Sequence, residues 1–126
     1  MHENLVKQRS PSEDQWWDWQ ISSRIRALYY VTNRVALQPD SITEAHPRLV
    51  FNRISILAAN LEHAATIEWD GVDKKRLKRF HAELLAFPTE EEALTLPYRR
   101  IIEEMEKVFR LSKRMCAALN VPPPED

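Results

Sequence analysis

A single glycine, Gly71, serves a chain of 126 residues, and that scarcity narrows the folds within reach. Glycine adopts positive φ without strain and lets the backbone close on a phosphate. With only one, the chain has no Gly-rich phosphate loop, no dinucleotide-binding fingerprint and no nucleophile elbow. Tight hairpins, which draw on glycine at positive φ, are equally short of material. The β-branched residues are scattered, and turn signals fall roughly 15 to 27 residues apart, against about 8 to 12 in sheet proteins. The pattern predicts an all-α fold: an antiparallel helical bundle of four main helices plus one short helical segment.

The length suits one domain over 1–126, with a flexible arm at 1–9 and a Pro-rich acidic tail at 121–126. A net charge of −1 excludes a uniformly basic nucleic-acid binder but leaves room for a basic patch. Cys116 stands alone and has no intramolecular disulfide partner; its helical position suits a small buried hydrophobe. A lone thiol and the absence of a signal peptide predict a cytoplasmic protein. The uncharged run from Ile54 to Leu61 is too short for a bilayer.

Helix punctuation is plentiful. Ser10-Pro11-Ser12-Glu13 reads as a cap, a proline at the first helical position and a capping-box acid. Trp17, Ile21, Ile25, Leu28 and Val35 then recur on one face, predicting a helix to about Leu37. Residues 38–46 read as a loop, with His46 as a cap and Pro47 opening a second helix. That helix carries Val50, Ile54, Leu57, Leu61 and Ala65, and Gly71 is placed at the left-handed position past its end. Asp73 caps a third helix with Leu77, Phe80, Leu84 and Phe87 on its buried side, and Val72 staples onto Leu77. Thr89-Glu90-Glu91-Glu92 is a second capping box that opens the short segment. Pro97 starts the last long helix, and Asn120 with Pro122 to Pro124 ends it.

Two helices carry apolar residues opposite their core stripes, faces that either the N-terminal arm, the 38–46 loop and the short segment fold over or a partner covers. At about 100° per residue, Trp19, Tyr30 and Leu37 lie opposite the core stripe of the first helix. Leu49, Ile56 and Ile67 do the same on the second, which has only three charges between Pro47 and Ile67. Covering one such stripe of about 600 Å² would contribute roughly 15 kcal/mol before entropic costs. Trp16 and Trp19 fall outside the core of an ideal helix; they either pack onto the neighbouring helix ends or join these residues as a candidate partner interface.

Lys74, Lys75, Arg76, Lys78 and Arg79 crowd five cations into the first two turns of the third helix. A helix N-terminus already carries partial positive charge, so the cluster breaks a local rule. It is a candidate anion or nucleic-acid site; the plain alternative is a solvated face paired with Glu83, Glu90 to Glu92, Glu104 or Glu106.

Catalytic patterns are sparse. No Glu-x-x-His, no His-Glu-x-x-His and no cysteine pair occurs. Arg76 and His81 match the Arg-x4-6-His spacing used by HEPN ribonucleases. A chain with four histidines and twelve arginines meets that spacing about once by chance. Residues five apart also diverge by about 140° on a helix. The leading expectation is therefore a non-enzymatic interaction protein, a homo-oligomer or a small subunit of a larger complex, with no cofactor, metal or membrane contact. A nucleic-acid-contacting subunit comes second and an HEPN-like ribonuclease third.

Overall fold

The computed structural model describes residues 11–37 and 45–124, and no strand occurs among them. α1 (Pro11–Trp17) runs through a π-helical turn, Asp18–Ser22, into α2 (Ser23–Leu37). α3 (Ala45–Ala64), α4 (Lys74–Leu85), the short α5 (Glu90–Leu94) and α6 (Tyr98–Ala118) follow. The chain is all-α. The arm 1–9, the Ser10 cap, most of the 38–46 loop and the end of the acidic tail lie outside the described residues. No described helix is long and apolar enough to cross a membrane.

Packing pairs α2 with α6 and α3 with α4, and joins the two pairs through α2 and α3. Trp16 meets His63, and four residues later Gln20 meets Asn60, so the first helix and α3 run in opposite directions. Arg76 reaches Ala118 while Glu83 reaches Arg114, which sets α4 against α6 in the same opposed sense. Ile21, Ile25, Leu28, Phe51, Leu57, Leu61, Leu77, Leu84, Met105, Leu111 and Met115 are among the largest wholly enclosed side chains, and every long helix contributes. Thr32 and Ser112 enter this core because each hydroxyl donates to the carbonyl four residues back, Leu28 O at 2.6 Å and Val108 O at 2.9 Å.

Several expected boundaries shift. α3 begins at Ala45, so His46 and Pro47 lie inside its first turn. It ends at Ala64, three residues before Ile67, because Trp69 folds back and its indole Nε1 donates to the Ala64 carbonyl at 2.9 Å. The same carbonyl also accepts from Ile67 N–H at 3.0 Å, so the last turn and the indole share one acceptor at the helix end. Gly71 does adopt φ +73°, but within the turn closed by Val72 N–H to Trp69 C=O rather than at the helix end.

Other caps fall where the residues placed them. Asp73 Oδ1 accepts from Lys75 N–H at 2.9 Å. Thr89 and Glu92 complete a reciprocal capping box at 3.2 and 2.9 Å. Asn120 closes α6 at φ +57°, with Val121 N–H on Cys116 C=O at 3.0 Å. That left-handed cap buries Val121.

A Cβ at Gly71 would meet only Asn120 Nδ2, at an ordinary 3.7 Å. Backbone conformation alone therefore sets the cost of a side chain there. Gly71→Ala is expected to lower unfolding free energy by about 1 kcal/mol, and Asn120→Gly to change it by only a few tenths. Urea titrations followed by circular dichroism would check both; a neutral Gly71→Ala would contradict the assignment.

Candidate functional site

Of the apolar residues proposed as an interface, four reach solvent. Trp19 is 67% exposed, Tyr30 45%, Leu49 39% and Ile56 37%. Two do not. Ile67 is buried, because the early end of α3 lets the chain turn it into the core. Trp16 is half-buried, its ring 4.9 Å from His63 and stacked 6.4 Å from Trp69. The side chain of Leu37 lies outside the described residues. The apolar surface left wet is accordingly smaller than the two full stripes implied.

The π turn explains Trp16. It closes with Ser23 N–H on Asp18 C=O, and its wider winding lags behind the 100° or so per residue of an α-helix. The preceding turn is rotated, which brings both Trp16 and Trp17 against Trp69; the Trp17 ring lies 4.8 Å away. Asn60 supports the irregularity from α3, its Nδ2 donating to Gln20 O and Gln20 Oε1 at 3.4 Å.

Leu49, Arg53, Ile56 and Asn60 share the edge of α3 that faces the first helix, by helical rotation and by the Asn60–Gln20 contact. Leu49 and Ile56 therefore rim the α2/α3 seam from outside. Arg53 Nε is enclosed at this edge without an acceptor among the described residues. Tyr30 lies on the outer side of α2, its hydroxyl accepting from Arg34 Nη1 at 2.7 Å and its ring under the Arg34 guanidinium at 5.5 Å.

The basic cluster divides. Lys74 pairs with Glu68 at 2.8 Å. Arg76 leans across to α6, with Nη1 3.5 Å from Ala118 O, where a cation complements the carbonyl end of that helix. Lys75, Lys78 and Arg79 are exposed and have no ion pair among the described residues. Three of the acids expected as partners are engaged elsewhere. Glu83 binds Arg114 at 2.6 Å, Glu92 completes its capping box and Glu104 takes Lys107 at 2.8 Å.

Among the described residues, no group of three His, Cys, Asp or Glu side chains is placed to hold a metal ion. Arg76 and His81 do not converge: Arg76 points to the end of α6, whereas His81 Nε2 lies 3.5 Å from Glu62 on α3. Sequence reasoning missed the burial of Glu104 on the core side of α6. Its spacing, three residues after Ile101 and four before Val108, was the available signal.

No protein-family model, curated protein or solved structure matches this chain.

Burial pushes the Cys116 thiol above the usual thiol range, opposed by the Arg26 charge. The buried thiol thus binds its proton more tightly than in the unfolded chain, so the linked stability is lost as pH rises past the unfolded value of about 8.5. Cys116→Ala should flatten the alkaline limb of a stability profile above that pH, and disulfide-exchange reagents should label Cys116 far more slowly in the folded protein than in urea.

Proposed function

We propose that this chain is a non-enzymatic α-helical interaction protein whose partner covers Trp19, Tyr30, Leu49 and Ile56. The partner is a protein, either a second copy of the chain or a subunit of a larger assembly. The observation that supports the reading is the exposure of these four large side chains on the first helix and α3. Beyond the exposed Tyr98 at its start, the solvent side of α6 by contrast carries charged residues such as Arg99, Glu103, Lys107, Arg110 and Arg114. Tryptophan and tyrosine contribute large, rigid area to interfaces and are enriched among residues that dominate binding. Ile56, flanked by the half-buried Arg53 and Asn60, supplies an apolar centre with a polar rim.

A second reading rests on Lys75, Lys78 and Arg79, which have no ion pair among the described residues and form a cationic patch suited to a nucleic-acid backbone. Single-stranded sites also use exposed aromatic rings for stacking, and the one aromatic side chain of that helix, Phe80, is buried. The apolar face is the better supported.

Light scattering of the purified chain and tagged recovery from its native source separate self-association from a foreign partner. In either case Trp19→Ser and Ile56→Glu should each weaken association by about 30-fold, the level of a dominant interface residue, while Lys75→Glu/Arg79→Glu leaves it unchanged. A chain that stays monomeric and whose recovered proteins are indifferent to Ile56→Glu would sink the proposal. Salt-sensitive retention of labelled RNA, lost in Lys75→Glu/Arg79→Glu, would favour the second reading.

A further inference from the structure

A second surface lies on the other flank of the molecule. α4 packs chiefly on α3 and α6 on α2, and between the C-terminal part of α4 and the middle of α6 a trench of about 700 Å³ stays open along one side. We propose that this trench docks an acidic amphipathic helix of a protein partner.

The floor is apolar, made by Ala86 and Phe87 over the enclosed Leu111. Four cations line it against two carboxylates. Both carboxylates are already committed, Glu83 to Arg114 at 2.6 Å and Glu104 to Lys107 at 2.8 Å. Arg110 and Lys113 are left without a carboxylate among the described residues, and the Lys113 ammonium lies 5.3 Å over the Phe109 ring. The surface thus asks for negative charge beside an apolar stripe.

Dimensions and shape select among occupants. From Glu104 to Arg114 the α6 wall measures about 15 Å at the helical rise, room for two to three turns of a docked helix. A small amphipathic acid would leave much of its tail wet in a trench open on one side, whereas small-molecule sites commonly bury about 70–90% of the ligand. A nucleic-acid backbone has no use for the apolar floor. A helix places its apolar stripe on Ala86 and Phe87, its flanking acids on Arg110 and Lys113, and its remaining face in water. The surface is distinct from the Trp19 face, so either proposal can fail alone.

The test uses the full chain and fluorescence anisotropy. The probe is a labelled peptide of about 18 residues, long enough to form a helix, with leucine on one face and glutamate on its flanks. Controls are a peptide of identical composition with the leucines scrambled around the helix, a lysine-for-glutamate version, and dodecanoate as competitor. The acidic amphipathic peptide should bind saturably. Its affinity should fall about tenfold or more in Arg110→Glu/Lys113→Glu, where two favourable charges are reversed. Ala86→Glu, which adds bulk and negative charge at an exposed floor position, should weaken it as well. Lys75→Glu/Arg79→Glu should bind as the parent does, and circular dichroism of each variant confirms the fold. Absence of saturable binding, equal binding of the scrambled or lysine peptide, indifference to Arg110→Glu/Lys113→Glu, or full displacement by dodecanoate would each overturn the proposal.

Discussion

A regular α-helix has one phase, and the first helix of this chain is required in two. Ile21, Ile25 and Leu28 must face the centre of the bundle, while Trp16 and Trp17 must meet Trp69 at its end. The π turn at Asp18–Ser22 reconciles the demands by shifting the winding between them. Its cost is offset on both sides: Asn60 donates to the Gln20 carbonyl, and Trp16 and Trp17 both pack on Trp69. Aromatic pairs of this kind contribute about 1 kcal/mol each beyond their buried area. The same cluster caps the end of α3, since the Trp69 indole and the Ile67 N–H share the Ala64 carbonyl. The α3-to-α4 reversal therefore depends on the opening turns of the chain.

Charges arrange the outside rather than hold it together. Glu83 reaches Arg114 on α6 although Arg79 lies one turn before it on α4. Arg76 turns to the carbonyl end of α6, where its charge is better placed than at the N-terminus of its own helix. Exposed pairs of this sort contribute at most about 1 kcal/mol. Their effect is to orient: α4 and α6 are tied at two points without close packing, which leaves the trench between them.

The residues alone make the all-α architecture and most helix ends legible, because caps act locally. Asp73, Thr89 with Glu92, and Asn120 each satisfy neighbouring backbone groups, and a reader of the sequence can find them. The positive φ of Gly71 is legible for the same reason, but its turn begins at Trp69, past the end of α3 at Ala64. What stays hidden depends on distant contacts. An ideal helix extended through Ile67 puts that residue outside, whereas α3 stops at Ala64 under a tryptophan folding back from beyond it. Trp16 faces inward because of a π turn that no spacing announces. The basic cluster lacks its expected partners on similar grounds, since Glu83 and Glu104 answer to cations of α6. Of the candidate interface, the exposed Tyr30, Leu49 and Ile56 lie in regular α-helix, where helical rotation alone decides the outcome.

The distribution of tryptophan gives the molecule two separate optical signals. Three of the four indoles, Trp16, Trp17 and Trp69, are grouped within energy-transfer range at the end of the bundle, with rings 4.8 to 6.4 Å apart for the contacts to Trp69. Trp19 stands largely in water. Emission from the cluster follows the integrity of the fold, and the red-shifted emission of Trp19 follows whatever comes to cover it. Unfolding and association can thus be told apart in a single unlabelled sample.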